Sequence, residues 1–248
     1  MRSLFRIAHS IIFWLLVAVC SVTVVLVSRA VAFFIKNPVK KELFYERMAK
    51  LWGSLMLNVS LVKVDLSGVE NIPRDTNVIF APNHQSYIDI FILLKYLPFR
   101  YKFVIMRKLF KVPFVGSHIT RSGFLSLDRK DRKKSVKKIH KIVDRLKAGN
   151  SFLIFPEGRL TRDGRVGDFG RGTSIIIQRS GKPVVPISID GTFRVMPKGE
   201  WKLSPCRVKV RIGKPVNFES HNGDISKETS EGVGKTLRKM VLMLKEEG

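Results

Sequence analysis

A chain of 248 residues suffices for one ordinary α/β domain and a short appendage. Its 45 Lys and Arg outweigh 20 Asp and Glu for a formal charge of +25, which directs attention to anionic partners: lipid, nucleic acid or a phosphorylated substrate. Two cysteines, Cys20 in an apolar run and Cys206 in a basic segment, exclude a disulfide framework and a clustered set of thiolate metal ligands, and fit a reducing compartment.

Residues 7–28 form an apolar run with His9 its one titratable side chain besides Cys20, long enough to cross a bilayer as a helix. A cleaved signal peptide suits it less well, because the run exceeds a signal core and Arg29 interrupts the small-residue site at 30–32. Basic residues flank both sides, Arg2 and Arg6 before it and Arg29, Lys36, Lys40 and Lys41 after it, so both ends favour the cytoplasmic surface. Over residues 42–59, Phe44, Met48, Leu51, Trp52, Leu55, Met56 and Val59 share one helical face, as in an interfacial helix or a core-facing one. The expectation is a pair of anchoring helices over 1–60, seated in one leaflet, with a single span as the other arrangement. A catalytic domain over 61–248 would then face the cytoplasm.

Beyond Val59, short apolar runs alternate with helical stretches, which predicts an α/β fold with a mixed sheet flanked by helices. Residues 77–81 predict a buried strand that leads through Pro82, Asn83 and His84 into a helix over 86–96, with Ser86 as its cap. A second helix is predicted over 131–147 from the stripe Val136, Ile139, Ile142, Val143 and Leu146, with Gly149 past its end. Strands follow at 151–155, 183–190 and 207–212, helices at 173–180 and 233–245. Residues 100–147 hold 16 Lys and Arg against 3 Asp, more than half the chain's excess charge. That density reads as a solvated helix face and as attraction to anionic headgroups, each basic residue near the surface contributing about 1 kcal/mol.

Two strand ends place polar residues where α/β sheets bind ligands: Asn83-His84 and Pro156-Glu157-Gly158-Arg159. Asp89 follows His84 by five residues, so a bend at the helix start brings its carboxylate to one imidazole nitrogen. A neutral imidazole so oriented can take the proton of a substrate hydroxyl as it attacks an acyl carbonyl. No nucleophile-elbow pattern surrounds Ser86, so a covalent acyl-enzyme is not required.

The four ordered blocks Asn83-His84-Gln85-Ser86-Tyr87-Ile88-Asp89, Arg107-Lys108-Leu109-Phe110 with Pro113 and Gly116, Phe155-Pro156-Glu157-Gly158-Arg159, and Val185-Pro186-Ile187 resemble the glycerolipid acyltransferase family. Within it they are most like enzymes acting on 1-acylglycerol-3-phosphate. The resemblance implies His84 as general base with Asp89 as its partner. It also implies Glu157, Gly158 and Arg159 as part of the glycerol-phosphate site. Arg159 is the first phosphate ligand expected, because a guanidinium offers forked donors and stays charged; Arg107, Lys108 and Arg171 are further candidates. Backbone amides at Gly158, or in the stretch Phe169 to Thr173, are candidates for an oxyanion site. The implied partners are anionic membrane lipid, a lysophospholipid acceptor and an acyl-coenzyme A or acyl-carrier-protein donor, with no metal and no organic cofactor.

Two positions depart from the family's commonest pattern. Arg159-Leu160-Thr161 stands where Thr-Arg-Ser is usual, which leaves other lysophospholipid headgroups open, and Met106 lies where lysine is frequent. Three other readings explain less. The stretch from Gly232 to Thr236 lacks the first glycine of a phosphate loop, Thr229 standing there. A glycosidase built on Glu157 with Asp163 or Asp168 leaves His84 idle. A basic membrane- or nucleic-acid-binding protein accounts for the charge, but no nucleic-acid motif is present.

Overall fold

Strands β1 (Lys63–Ser67), β2 (Ile79–Pro82), β3 (Lys102–Met106), β4 (Leu125–Leu127), β5 (Phe152–Ile154), β6 (Val184–Asp190) and β7 (Arg207–Ile212) pair in the order β1-β7-β6-β2-β5-β3-β4. The computed structural model describes residues 2–98, 100–112, 115–127, 132–221 and 223–247, without the side chains at 2, 106 and 132–134. Pro113 of the second motif and Asp131 at the expected helix start lie outside the described residues. From β6 to β4 the strands run parallel; β7 is antiparallel to β6, and β1 is parallel to β7. The sheet is therefore mixed, as expected.

Helices α1 (Arg2–Phe34), α2 (Pro38–Val59), α3 (Ile88–Tyr96), α4 (Val115–Arg121), α5 (Arg132–Lys147), α6 (Arg171–Ser180), α7 (Thr192–Val195) and α8 (Lys227–Glu246) surround it. Alternation along β2 divides the core in two: Phe80 faces one side, Ile79 and Ala81 the other. On the first side lie Phe13 of α1, Met56 and Leu57 of α2, and Ile88, Phe91 and Ile92 of α3. On the second lie Ile139, Ile142 and Leu146 of α5, Ile176 and Ile177 of α6, and Leu237 of α8.

Several boundaries differ from expectation for local reasons. Asn37 caps α2, its Oδ1 accepting from the N–H groups of Val39 and Lys40, and Pro38 follows as a first helical residue, so the helix begins four residues earlier than its apolar pattern. Its buried residues are Tyr45, Glu46, Ala49, Gly53, Met56 and Leu57, whereas Leu51 and Leu55 are exposed, so the apolar stripe is shared between the core and the outer surface. Helix α3 starts at Ile88 with Tyr87 in the cap position; Ser86, one residue earlier, accepts the Ile88 N–H on its Oγ at 3.3 Å while its hydroxyl donates to the Met196 carbonyl at 2.8 Å. Helix α8 starts at Lys227 behind Ser226, whose Oγ accepts from the Thr229 N–H, and so the stretch from Gly232 to Thr236 is helix interior and no phosphate loop.

Among the described residues α1 is the one helix long and apolar enough to cross a membrane, over Ser3–Phe34. It nevertheless touches the domain along its length. Arg6 Nε donates to the Leu203 carbonyl, His9 Nε2 bonds the Val59 carbonyl, Trp14 donates to the Trp201 carbonyl and Arg29 donates to Ser117 Oγ. From Arg6 to Arg29 is about 35 Å of helix at 1.5 Å per residue. Contacts at both ends of such a length lay the helix along the domain, with Leu4, Phe5, Ile11, Leu15, Leu26 and Phe33 exposed on its outer side.

Candidate active site

Strand β2 is paired with β5 on one side and β6 on the other, all parallel, so the loops leaving their carboxyl ends are neighbours. Residues 83–87 leave β2 and residues 155–170 leave β5. Asn83, fully buried, ties the first loop to β6: its Nδ2 donates to the Ile189 carbonyl at 2.9 Å and its Oδ1 accepts the Ile189 N–H at 2.7 Å.

His84 Nδ1 lies 2.9 Å from Asp89 Oδ2. That same oxygen accepts the N–H groups of Gln85 at 2.7 Å and Ser86 at 2.9 Å. The Asp89 side chain is fully buried and that of His84 is 12% exposed. An ionised carboxylate can only accept, so in this pairing Nδ1 carries the proton and Nε2 keeps its lone pair. The imidazole stacks on Phe155, with ring centroids 3.7 Å apart and planes 18° from parallel. One face of the ring is thereby fixed by the residue that follows β5.

Glu157 spans the two loops. Its Oε1 accepts the backbone N–H of His84 at 2.8 Å and its Oε2 accepts that of Gly167 at 2.9 Å. Burial holds its carboxyl above the ordinary glutamate value, and those two N–H donors pull it part of the way back. The His84 carbonyl accepts the Thr161 N–H at 3.0 Å, and Gln85 Nε2 donates to the Gly164 carbonyl at 2.8 Å, so the loops are laced by main-chain as well as side-chain bonds. Gly158 adopts a positive φ of 60° and its N–H donates to the Phe155 carbonyl, which commits that amide to the turn and not to an oxyanion. Helix α6, of the opposite sense to the strands it connects, begins at Arg171 on this same edge.

Arg159 is exposed beside the Glu157 turn, and Arg107 and Lys108 are exposed on the turn that leaves β3, the other neighbour of β5. Three adjacent strand ends thus present His84, Arg159 and the Arg107-Lys108 pair at one edge of the sheet. Arg171 opens α6 nearby, with its Nη2 donating to the Ile225 carbonyl at 3.0 Å. No group of three His, Cys, Asp or Glu suited to a metal ion occurs among the described residues.

Arg238 of α8 is a contributor that its sequence context did not single out. Its Nε and Nη2 donate to the Val166 carbonyl, at 3.2 and 2.9 Å, and its Nε also donates to the Gly167 carbonyl at 3.0 Å. Gly167 is therefore held on both sides, its N–H by Glu157 and its carbonyl by Arg238. Nothing local to Arg238 signals this, because the two partners stand about seventy residues apart in the chain.

The Acyltransferase family model matches residues 63–190. A chloroplastic 1-acyl-sn-glycerol-3-phosphate acyltransferase of Brassica napus is 38% identical over 175 residues, which are 70% of this chain and 50% of that one. A 1-acyl-sn-glycerol-3-phosphate acyltransferase of Pseudomonas aeruginosa is 33% identical over 162 residues, 65% of this chain and 62% of that one. This chain spans about half the length of the plant relative. The crystal structure of the 1-acyl-sn-glycerophosphate acyltransferase of Thermotoga maritima is similar with a TM-score of 0.81 at 28% identity, covering 99% of this chain and 98% of that one.

Proposed function

The chain belongs to the acyltransferase family, and on that premise we propose that it transfers a fatty acyl group from a thioester to the free sn-2 hydroxyl of 1-acylglycerol-3-phosphate. The observation that carries the reading is the buried Asp89 carboxylate on His84 Nδ1, which leaves Nε2 as a base at the carboxyl edge of the sheet. The hydroxyl proton passes to Nε2 as the oxygen attacks the thioester carbonyl, and Asp89 stabilises the resulting imidazolium. The tetrahedral intermediate then expels the thiolate, which takes the proton back from His84, leaving phosphatidic acid and free thiol. No acyl-enzyme forms.

Arg159, with Arg107 and Lys108 on the next strand end, holds the phosphate, and Arg171 supplies further positive charge at the start of α6. The Arg171 and Gly172 amides that open α6 face the developing oxyanion, whereas the Thr173 amide is committed to the Gly170 carbonyl. Arg159 directly follows Gly158, one place earlier than the commonest family pattern, and this favours one second reading of the acceptor: a lysophospholipid with another headgroup.

The anchor in this reading is α1 laid in one leaflet, since both its ends engage the domain, with the catalytic domain on the cytoplasmic side where the basic flanks settle. The test is transfer of labelled acyl groups from acyl-coenzyme A and from acyl-carrier protein by the purified protein to a panel of lysophospholipids in detergent. Preference for 1-acylglycerol-3-phosphate supports the reading. Preference for another headgroup selects the second reading, and absence of transfer to every acceptor overturns both.

A further inference from the structure

The hydrogen bonds that the described residues make to the Asp89 side chain all fall on Oδ2: His84 Nδ1 at 2.9 Å, the Gln85 N–H at 2.7 Å and the Ser86 N–H at 2.9 Å. Oδ1 is buried and takes none from them. The carboxylate is therefore aimed at the imidazole by two backbone amides, and its aim is only as firm as the peptides that carry them.

The side chains of those same two residues bond elsewhere. Gln85, 1% exposed, donates from Nε2 to the Gly164 carbonyl at 2.8 Å. A carbonyl only accepts, so the amide is turned with Oε1 toward the Thr192 hydroxyl, which donates to it across a longer 3.4 Å. The Ser86 hydroxyl donates to the Met196 carbonyl at 2.8 Å. Thr192 opens α7 and Met196 follows its last residue, so one four-residue helix backs both amides.

That helix is a firm seat. It leaves the carboxyl end of β6, the neighbour of β2; Thr192 and Val195 have no exposure, and the Val195 carbonyl accepts the Ser204 N–H at 2.8 Å. The loop after β5 rests on it as well, since a Cβ at Gly164 would stand 3.0 Å from Phe193 Cδ1. Gln85 lies where the three segments meet, its backbone on Asp89 and its amide between α7 and the β5 loop. Arg159, by contrast, stands between Glu157 and Thr161, both of which bond the main chain of His84 directly. The phosphate ligand of the acyl-transfer reading does not depend on Gln85.

We propose that Gln85 is a positioning residue of the acyl transfer: its amide, held by Gly164 and Thr192, aims its own N–H at Asp89 Oδ2 and so keeps the carboxylate on His84 Nδ1. Helix α7 thereby supports the base from behind. The inference rests on His84 acting as the base and adds to that reading the side chain that keeps the base in register. Its loss falls on the chemical step and not on acceptor binding.

The test is steady-state transfer to 1-acylglycerol-3-phosphate by the full chain in detergent, with hexadecanoyl-coenzyme A and hexadecanoyl-acyl-carrier protein as donors. Gln85→Leu, of similar size and without the amide, should lower kcat about five- to tenfold while the KM for the acceptor changes less than about twofold. Thr192→Val should lower kcat about two- to threefold, and Thr192→Ser should restore it. In an Asp89→Asn background, Gln85→Leu should cost less than about twofold more, because the carboxylate it aims is already gone. A full further loss in that background overturns the proposal, since a residue that merely supports the fold weakens both backgrounds alike. So does a raised acceptor KM with unchanged kcat. Should Gln85→Leu fail to fold in a urea titration, the Thr192 variants decide, and Thr192→Val with the wild-type kcat overturns the proposal. Wild type inactive with both donors, or Asp89→Asn as active as wild type, refutes the acyl-transfer reading or its base, a result distinct from failure at Gln85 alone.

Discussion

The Glu157 carboxylate accepts the backbone N–H of His84 at 2.8 Å, so the acidic residue of the third motif positions the histidine of the first. Its other oxygen is occupied by the Gly167 N–H. Glu157→Gln offers an amide N–H₂ to one of these two donors and removes a charged acceptor. Hydrogen bonds to charged groups contribute about 1.5–3 kcal/mol, which corresponds to a loss in kcat of roughly 10- to 150-fold. The KM for the lysophospholipid should change much less than kcat. Steady-state kinetics that show a raised KM with unchanged kcat would instead place Glu157 on the acceptor.

Glu157 also gives a pH dependence with a defined sign. Its folded carboxyl is raised above the ordinary glutamate value chiefly by burial, so the folded protein binds that proton more readily than the unfolded chain. The wild type therefore gains stability relative to Glu157→Gln as pH falls from the raised folded value toward the unfolded one, about 4.3, and loses it again as pH rises. Urea unfolding of both proteins across that range measures the difference; an identical pH response in the two would contradict it.

Asn83 has no exposure and uses both amide atoms on Ile189. Asn83→Leu removes both bonds and leaves the Ile189 N–H and carbonyl buried without their partner. At about 1–3 kcal/mol for each of the two unsatisfied groups, the expected loss of stability is roughly 2–6 kcal/mol, with activity falling as the His84 loop detaches from β6. Chemical denaturation reads the first effect, and a loss below about 1 kcal/mol would show that the bridge is dispensable.

Arg238→Met frees the Val166 and Gly167 carbonyls; Val166 is buried and Gly167 half-buried, so water replaces only part of what is lost. We expect a modest destabilisation of about 1–2 kcal/mol together with a kcat reduced several-fold, because the Gly167 amide that Glu157 uses is no longer fixed from behind. Faster hydrogen exchange at residues 164–168 is the structural readout, and unchanged exchange there would argue against the coupling.

Gly53 lets α2 approach α3 closely: a Cβ there would stand 2.5 Å from Leu94 Cβ and 2.7 Å from its Cδ1. Gly53→Val overfills this contact and should cost about 1–3 kcal/mol, offset slightly by better helix propensity. A thermal midpoint equal to the wild type's would mean that the helices separate freely.

The strands that carry the chemistry were legible because they are buried on both faces and read as short apolar runs, β2 before His84 and β5 before Glu157. Strand β3 was not, since it opens on Lys102, whose ammonium is buried only because Glu42 and Glu46 of α2 meet it. Strand β4 spans three half-buried residues at one edge, and β1 forms the other edge with charges at Lys63 and Asp65, so neither carries enough apolar pattern to stand out. The His84–Asp89 bond followed from a spacing of five residues. The Glu157 bond to the His84 main chain crosses 73 residues, and no local pattern records which backbone groups a side chain will satisfy.

The most direct measurement is single-turnover acyl transfer by wild type, His84→Ala and Asp89→Asn, each verified as folded by circular dichroism. The account predicts that His84→Ala lowers the rate about 10²- to 10⁴-fold, the range supplied by general-base catalysis, and that Asp89→Asn lowers it by a similar order, because the amide no longer fixes the Nδ1–H tautomer. Transfer by folded His84→Ala at the wild-type rate would contradict the account and require a different base.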